Sequence, residues 1–194
     1  MGQEGRTLIL GLGNPILGDD GVGIAIAHEI KERWLVDPSI DFHGQVRGNL
    51  SSEHGEREGE AGYPLAGVPV IDIIEASLAG RFLLDLITGY QTVIVADAII
   101  TDDNAPAGTI YKLSVNDLGA VVNPYASHAL DLRTTVELGK QLGYEMPDTI
   151  RIYAVEIKEN TVFREGLSPA VEATVVPVAL RIMQELGKTV ISDR

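Results

Sequence analysis

The 194-residue chain contains no cysteine. That removes a disulfide framework, a thiolate metal site and a cysteine nucleophile from consideration. Long apolar runs are missing too, since no window approaches the roughly 20 continuous apolar residues that a bilayer-spanning helix needs. The polar stretch from Met1 to Arg6 carries no apolar h-region and no small-residue cleavage site. No signal peptide is read there, and a cytoplasmic protein is expected. Positive charge is scarce: 15 Lys and Arg stand against 28 Asp and Glu, a formal net charge of −13. Such a surface repels phosphate backbones and anionic headgroups, so neither nucleic acid nor a membrane is an expected partner. A basic protein or a metal cation is easier to accommodate.

What is present suits one domain with a real core, because 45% of the residues are apolar and they are spread along the chain. Thr7 to Leu10 is a short apolar run stopped by glycine and proline, which reads as a buried strand. Val22, Ile26 and Ile30 then follow helical spacing to about Trp34, and Asp37-Pro38 closes that helix. Residues 43–67 mix glycine with Glu53, Glu56, Glu58 and Glu60, a composition too polar to offset its ordering entropy, and read as a mobile surface insertion. Further strands are expected at 68–74, 92–96, 108–115 and 150–157, with the alternation at 108–115 marking a sheet edge. Helices are expected at 79–86, from His128 to about Gly143 behind Ser127 as N-cap, and from Ser168-Pro169 onward. Pro177 falls inside the last helix and predicts a kink or break. Strands alternating with helices, three of them apolar nearly throughout, predict an α/β fold. It is a single-domain three-layer arrangement, a twisted and mostly parallel sheet of about five strands with helices on both faces. In such folds the site lies beyond the C-terminal ends of the strands.

The candidate chemistry sits at those ends. Gly11-Leu12-Gly13-Asn14-Pro15 continues to Gly18-Asp19-Asp20-Gly21-Val22-Gly23. One reading is a loop that presents a carboxylate above the first strand; another is a dinucleotide loop or a plain tight turn. The dinucleotide spacing fails, because Ile16 stands in the place of the third glycine and Pro15 lacks an amide for phosphate. Asp97 ends the most apolar strand, where a carboxylate is costly unless paired, protonated or metal-bound, although it could simply cap a turn. His128 opens a helix, whose positive end keeps imidazole neutral and available as a ligand; a lone capping histidine is the alternative. Asp20, Asp97 and His128 together form a two-carboxylate, one-imidazole set that suits nickel or zinc. Of the other histidines, His28 reads as a surface residue and His43 and His54 as solvated. Gly187-Lys188-Thr189 only imitates a phosphate loop, and no Gly-x-Ser-x-Gly elbow occurs.

These segments, with Val95-Ala96-Asp97-Ala98, Ser127-His128 and Gly166-Leu167-Ser168-Pro169, make the chain resemble the hydrogenase maturation proteases, from near its N-terminus to about residue 187. The resemblance implies an endopeptidase that removes the C-terminal extension of the large-subunit precursor of a nickel-iron hydrogenase. It implies that nickel carried by that precursor is contacted by Asp20, Asp97 and His128, as a divalent metal bound transiently at the site. The same three residues are the expected catalytic set, with a carboxylate taking a proton from the attacking water. Glu75, placed just after the second strand, is a weaker addition. Two rivals stand beside this expectation. A peptidyl-tRNA hydrolase shares Gly-Leu-Gly-Asn-Pro, but its Thr-Arg-His-Asn segment is missing here and the charge opposes tRNA. A non-catalytic, nickel-dependent chaperone or checkpoint protein would use the same three ligands.

Overall fold

The computed structural model describes residues 5–36, 70–77, 81–102, 105–118 and 128–192. The insertion expected at 43–67, with His43 and His54, lies outside them, as does Ser127. The elements run β1 (Arg6–Leu12), a 3-10 turn (Gly18–Gly21), α1 (Val22–Val36), β2 (Val70–Ala76), α2 (Arg81–Ile87), β3 (Thr92–Ile99), β4 (Ile110–Ser114), α3 (His128–Leu142), β5 (Thr149–Glu156) and α4 (Pro169–Ser192). One five-stranded sheet has the order β2-β1-β3-β5-β4. Its pairs are parallel except that between β4 and β5, and β4 lies at an edge, as its half-wet alternation predicts.

Strand alternation divides the apolar residues between two faces. Leu8, Leu10, Val93, Val95 and Ile152 pack with Leu83 and Ile87 of α2 and Leu132 and Val136 of α3. Ile9, Ile94, Tyr153 and Val155 pack with Val22, Ile26 and Ile30 of α1 and Val171, Val178 and Ile182 of α4. Helices therefore cover both faces of the mostly parallel sheet.

Several elements depart from the expected bounds or shape, among them β3, which runs to Ile99 and so holds Asp97 within the strand rather than at its end. α4 is one uninterrupted helix through Pro177, so the expected break is absent. The buried stripe of Val171, Val178, Ile182 and Leu186 on both sides of the proline holds the two halves against one face. β2 extends to Ala76, which puts Glu75 inside the strand rather than after it. No helix among the described residues is long and apolar enough to cross a membrane.

Candidate active site at the C-terminal edge of the sheet

The loop after β1 is folded tightly onto the sheet, and glycine makes that possible. A Cβ on Gly23 would lie 2.2 Å from the Ala96 carbonyl oxygen and 2.3 Å from that of Leu12, so only glycine lets α1 begin this close to β1 and β3. Gly13 has φ +139, and a Cβ there would lie 2.0 Å from the Asp20 carbonyl oxygen. The 3-10 turn is thereby brought down against β3.

Within that turn the two adjacent aspartates have different partners. Asp20 is buried, at 3% exposure, and its Oδ2 accepts the Asn14 amide at 2.9 Å. Asp19 accepts the Ser168 hydroxyl on Oδ2 at 2.8 Å and the Ser168 amide on Oδ1. Ser168 immediately precedes α4, and its carbonyl accepts the amides of Val171 and Glu172. Asp19 therefore ties the first loop to the start of the last helix. The sequence-distant segments Gly11–Gly23 and Gly166–Pro169 form one assembly, joined again where Leu17 bridges Arg164.

Asp97 stands in β3, two residues before its end, at 1% exposure, and its Oδ1 accepts the Ala98 amide at 2.9 Å. It follows the alternation of Val93, Val95 and Ile99 and so faces the α2 and α3 side. That side is also where α3 runs. Its far end is tied to the N-terminal edge of the sheet, because only six residues separate Leu142 from Thr149 and Glu145 accepts the Gly89 amide just ahead of β3. A 15-residue helix is about 22 Å long, long enough for its other end to reach the C-terminal edge. His128 opens that end. The helix it opens packs on the face of Asp97 through Leu132 and Val136, while the side chain of His128 lies outside the described atoms. Among the described residues no three His, Cys, Asp or Glu side chains gather as a metal-binding group.

Glu75 does not join this set. Its Oε1 lies 2.8 Å from Lys31 Nζ and 3.6 Å from His28 Nδ1, so the carboxylate is directed at α1 and ion-paired there. His28 is exposed, as expected of a surface helix residue.

One further carboxylate at this edge escaped the sequence reading. Glu156 ends β5 at 1% exposure, opposite Ile99, and shares the face of Asp97. Its Oε1 accepts the Thr101 amide at 3.1 Å and its Oε2 the Thr101 hydroxyl at 2.9 Å, which pins the chain leaving β3. The signal that singles out Asp97, an acid at the end of an apolar strand, is present in Ala154-Val155-Glu156 as well.

Comparison with known proteins agrees with this architecture. The family model HycI, described as hydrogenase maturation protease, matches residues 61–185, a span that includes Asp97 and His128 and begins beyond Asp20. The chain is 26% identical over 185 residues to the hydrogenase 2 maturation protease of Escherichia coli K12, covering 95% of this chain and 92% of that protein. Its fold is similar to that of the hydrogenase maturating endopeptidase HybD from E. coli, with TM-score 0.66 and 24% identity over 95% of this chain and 93% of the other. It is also similar to the [NiFe] hydrogenase maturation protease HybD from Thermococcus kodakarensis, with TM-score 0.55 and 22% identity over 93% and 98% of the two chains.

Proposed function

Because the chain belongs to the hydrogenase maturation protease family, and is therefore a peptidase that processes a hydrogenase precursor, we propose that it removes the C-terminal extension of a nickel-loaded nickel-iron hydrogenase large subunit. What supports this reading is that the turn carrying the buried Asp20 packs on β3, the strand that carries the buried Asp97 near its C-terminal end. Asp20, Asp97 and His128 contact the nickel that the precursor brings as part of the substrate. Two oxygen donors and one imidazole nitrogen suit a borderline divalent ion of this kind and leave positions for the precursor's own ligands. The ion supplies positive charge beside the bond to be cut. A carboxylate of the pair takes the proton of the attacking water, and the same group returns it to the leaving amine.

The test mixes the protein with the extended, nickel-loaded precursor and weighs the product by mass spectrometry. A discrete loss of the tail is expected, absent when the precursor lacks nickel and absent with His128→Ala. An intact tail with wild-type protein would overturn the proposed cut. Cleavage that survives both nickel omission and His128→Ala would overturn the assignment of the three residues.

A further inference from the structure

The most exposed large apolar side chains of the described residues include Phe163 at 77%, Ile16 at 58% and Val162 at 52%. Single exposed apolar residues are ordinary on protein surfaces. These three differ in being assembled from segments nearly 150 positions apart and then held in register. Leu17 bridges Arg164 in the parallel sense, and the Ile16 carbonyl accepts the Arg164 amide at 3.1 Å. Ile16 and Phe163 each immediately precede a residue of this bridged pair, which brings their backbones alongside one another. The seat beneath them is firm. Arg164 packs over Gly18, the Leu17 amide donates to the Asn14 carbonyl, and Asp19 holds Ser168 with two hydrogen bonds.

We propose that Ile16 and Phe163, with Val162 beside them, form the platform on which the precursor's polypeptide docks next to the cut, an inference that rests on the peptidase reading above. The platform is continuous with the candidate site, because Ile16 and Asp20 belong to one loop whose turn packs on β3. Its chemistry names the occupant as a short apolar segment of the precursor, since the exposed charges around Val162 and Phe163 balance, Lys158 and Arg164 against Glu159 and Glu165. A second copy of this chain fits poorly. Each copy carries a net charge of −13, which opposes self-association. Three side chains also offer at most a few hundred Å², well short of the ~800 Å² per partner that a stable protein interface buries.

Binding and cleavage of the nickel-loaded, extended precursor are measured side by side for the wild type, Ile16→Ser/Phe163→Ser and Ile16→Leu/Phe163→Leu. The serine pair is expected to raise Kd and KM about tenfold. Its kcat should stay within about twofold and its melting temperature should not move, while the leucine pair recovers wild-type binding. Unchanged Kd and KM overturn the platform, and so does a serine pair that loses kcat alone. If the wild type binds the precursor but cuts nothing, the peptidase reading falls and the Kd comparison still decides the platform. A wild-type dimer that the serine pair dissolves, seen by sedimentation, assigns the surface to self-association and overturns the proposal.

Discussion

Asp72, in the first half of β2, and Asp20, above the opposite end of the sheet, are both almost wholly buried, at 1% and 3% exposure. Asp72 is paired with a cation: its Oδ2 accepts Arg6 Nη2 and the Tyr90 hydroxyl at 2.8 and 2.7 Å, and Arg6 lies over the Tyr90 ring at 4.7 Å. Asp20 accepts one backbone amide and has no cationic partner among the described residues. A buried carboxylate without a counter-charge is costly, and folding alone gives no reason to keep one. The contrast separates two surroundings of the same side chain. Asp72 meets its counter-charge inside the protein, whereas the proposed function gives Asp20 a partner from outside it.

The comparison is broken most directly by exchanging the expected losses. Asp20→Asn keeps an oxygen for the Asn14 amide but removes the charge, so cleavage should fall by about a hundredfold or more. Melting should hardly change, and precursor binding should persist. Asp72→Ala should do the reverse. It removes the carboxylate that Arg6 and Tyr90 share, costs about 3 kcal/mol and lowers the melting temperature by roughly 6–12 °C. Its turnover per folded molecule, measured below the transition, should match the wild type. If Asp20→Asn leaves cleavage unchanged, or Asp72→Ala abolishes turnover without destabilising, the division between the two ends is wrong.

A smaller effect is expected at Asp19, which shares its turn with Asp20 but bonds Ser168. Asp19→Ala frees the turn from α4 and should lower kcat about tenfold by misplacing its neighbour. The accompanying loss of stability is about 1–2 kcal/mol. Asp19→Asn retains an acceptor for the Ser168 amide and should recover most of the rate. Equal kcat for Asp19→Ala and wild type would show that the turn holds its place without this tie.

How much of this was legible beforehand follows from which forces act locally. The apolar runs at Thr7 to Leu10 and Thr92 to Ala96 identify two of the three interior strands because both of their faces are buried. The edge strand β4 is legible for the opposite reason, its alternation. Adjacent aspartates look alike in sequence, and the separate partners of Asp19 and Asp20 depend on where Ser168 arrives from 149 positions away. Glu75 was misjudged because two extra residues of β2 pairing, and the arrival of Lys31, are tertiary facts. The break expected at Pro177 does not occur because local propensity yields to a stripe buried along the whole helix. Glu156 carried a readable signal that went unused.

The smallest expected effect lies at Glu185, another carboxylate that the fold pairs with cations. Burial alone would raise its pKa, but hydrogen bonds from Lys112 and Tyr153, with Arg151 close by, hold it below its ordinary value of 4.5. Burial and then the Glu185 carboxylate push the Tyr153 phenol well up, so that hydroxyl remains a donor. A depressed folded-state pKa contributes stability that is present above the unfolded value and is lost as the pH falls through the folded one. Lys112 and Arg151 are half-exposed, so solvent screening leaves the contribution at about 1 kcal/mol. Glu185→Gln should therefore be less stable than wild type by that amount at pH 7, and urea titrations of the two proteins should converge as the pH drops below 4.5. A difference that stays constant down to pH ~3 would mean that packing, not charge, sets the worth of this side chain. Cleavage of the precursor should be the same in both proteins at pH 7, since Glu185 bonds Tyr153 on the face of the sheet opposite to that of Asp97.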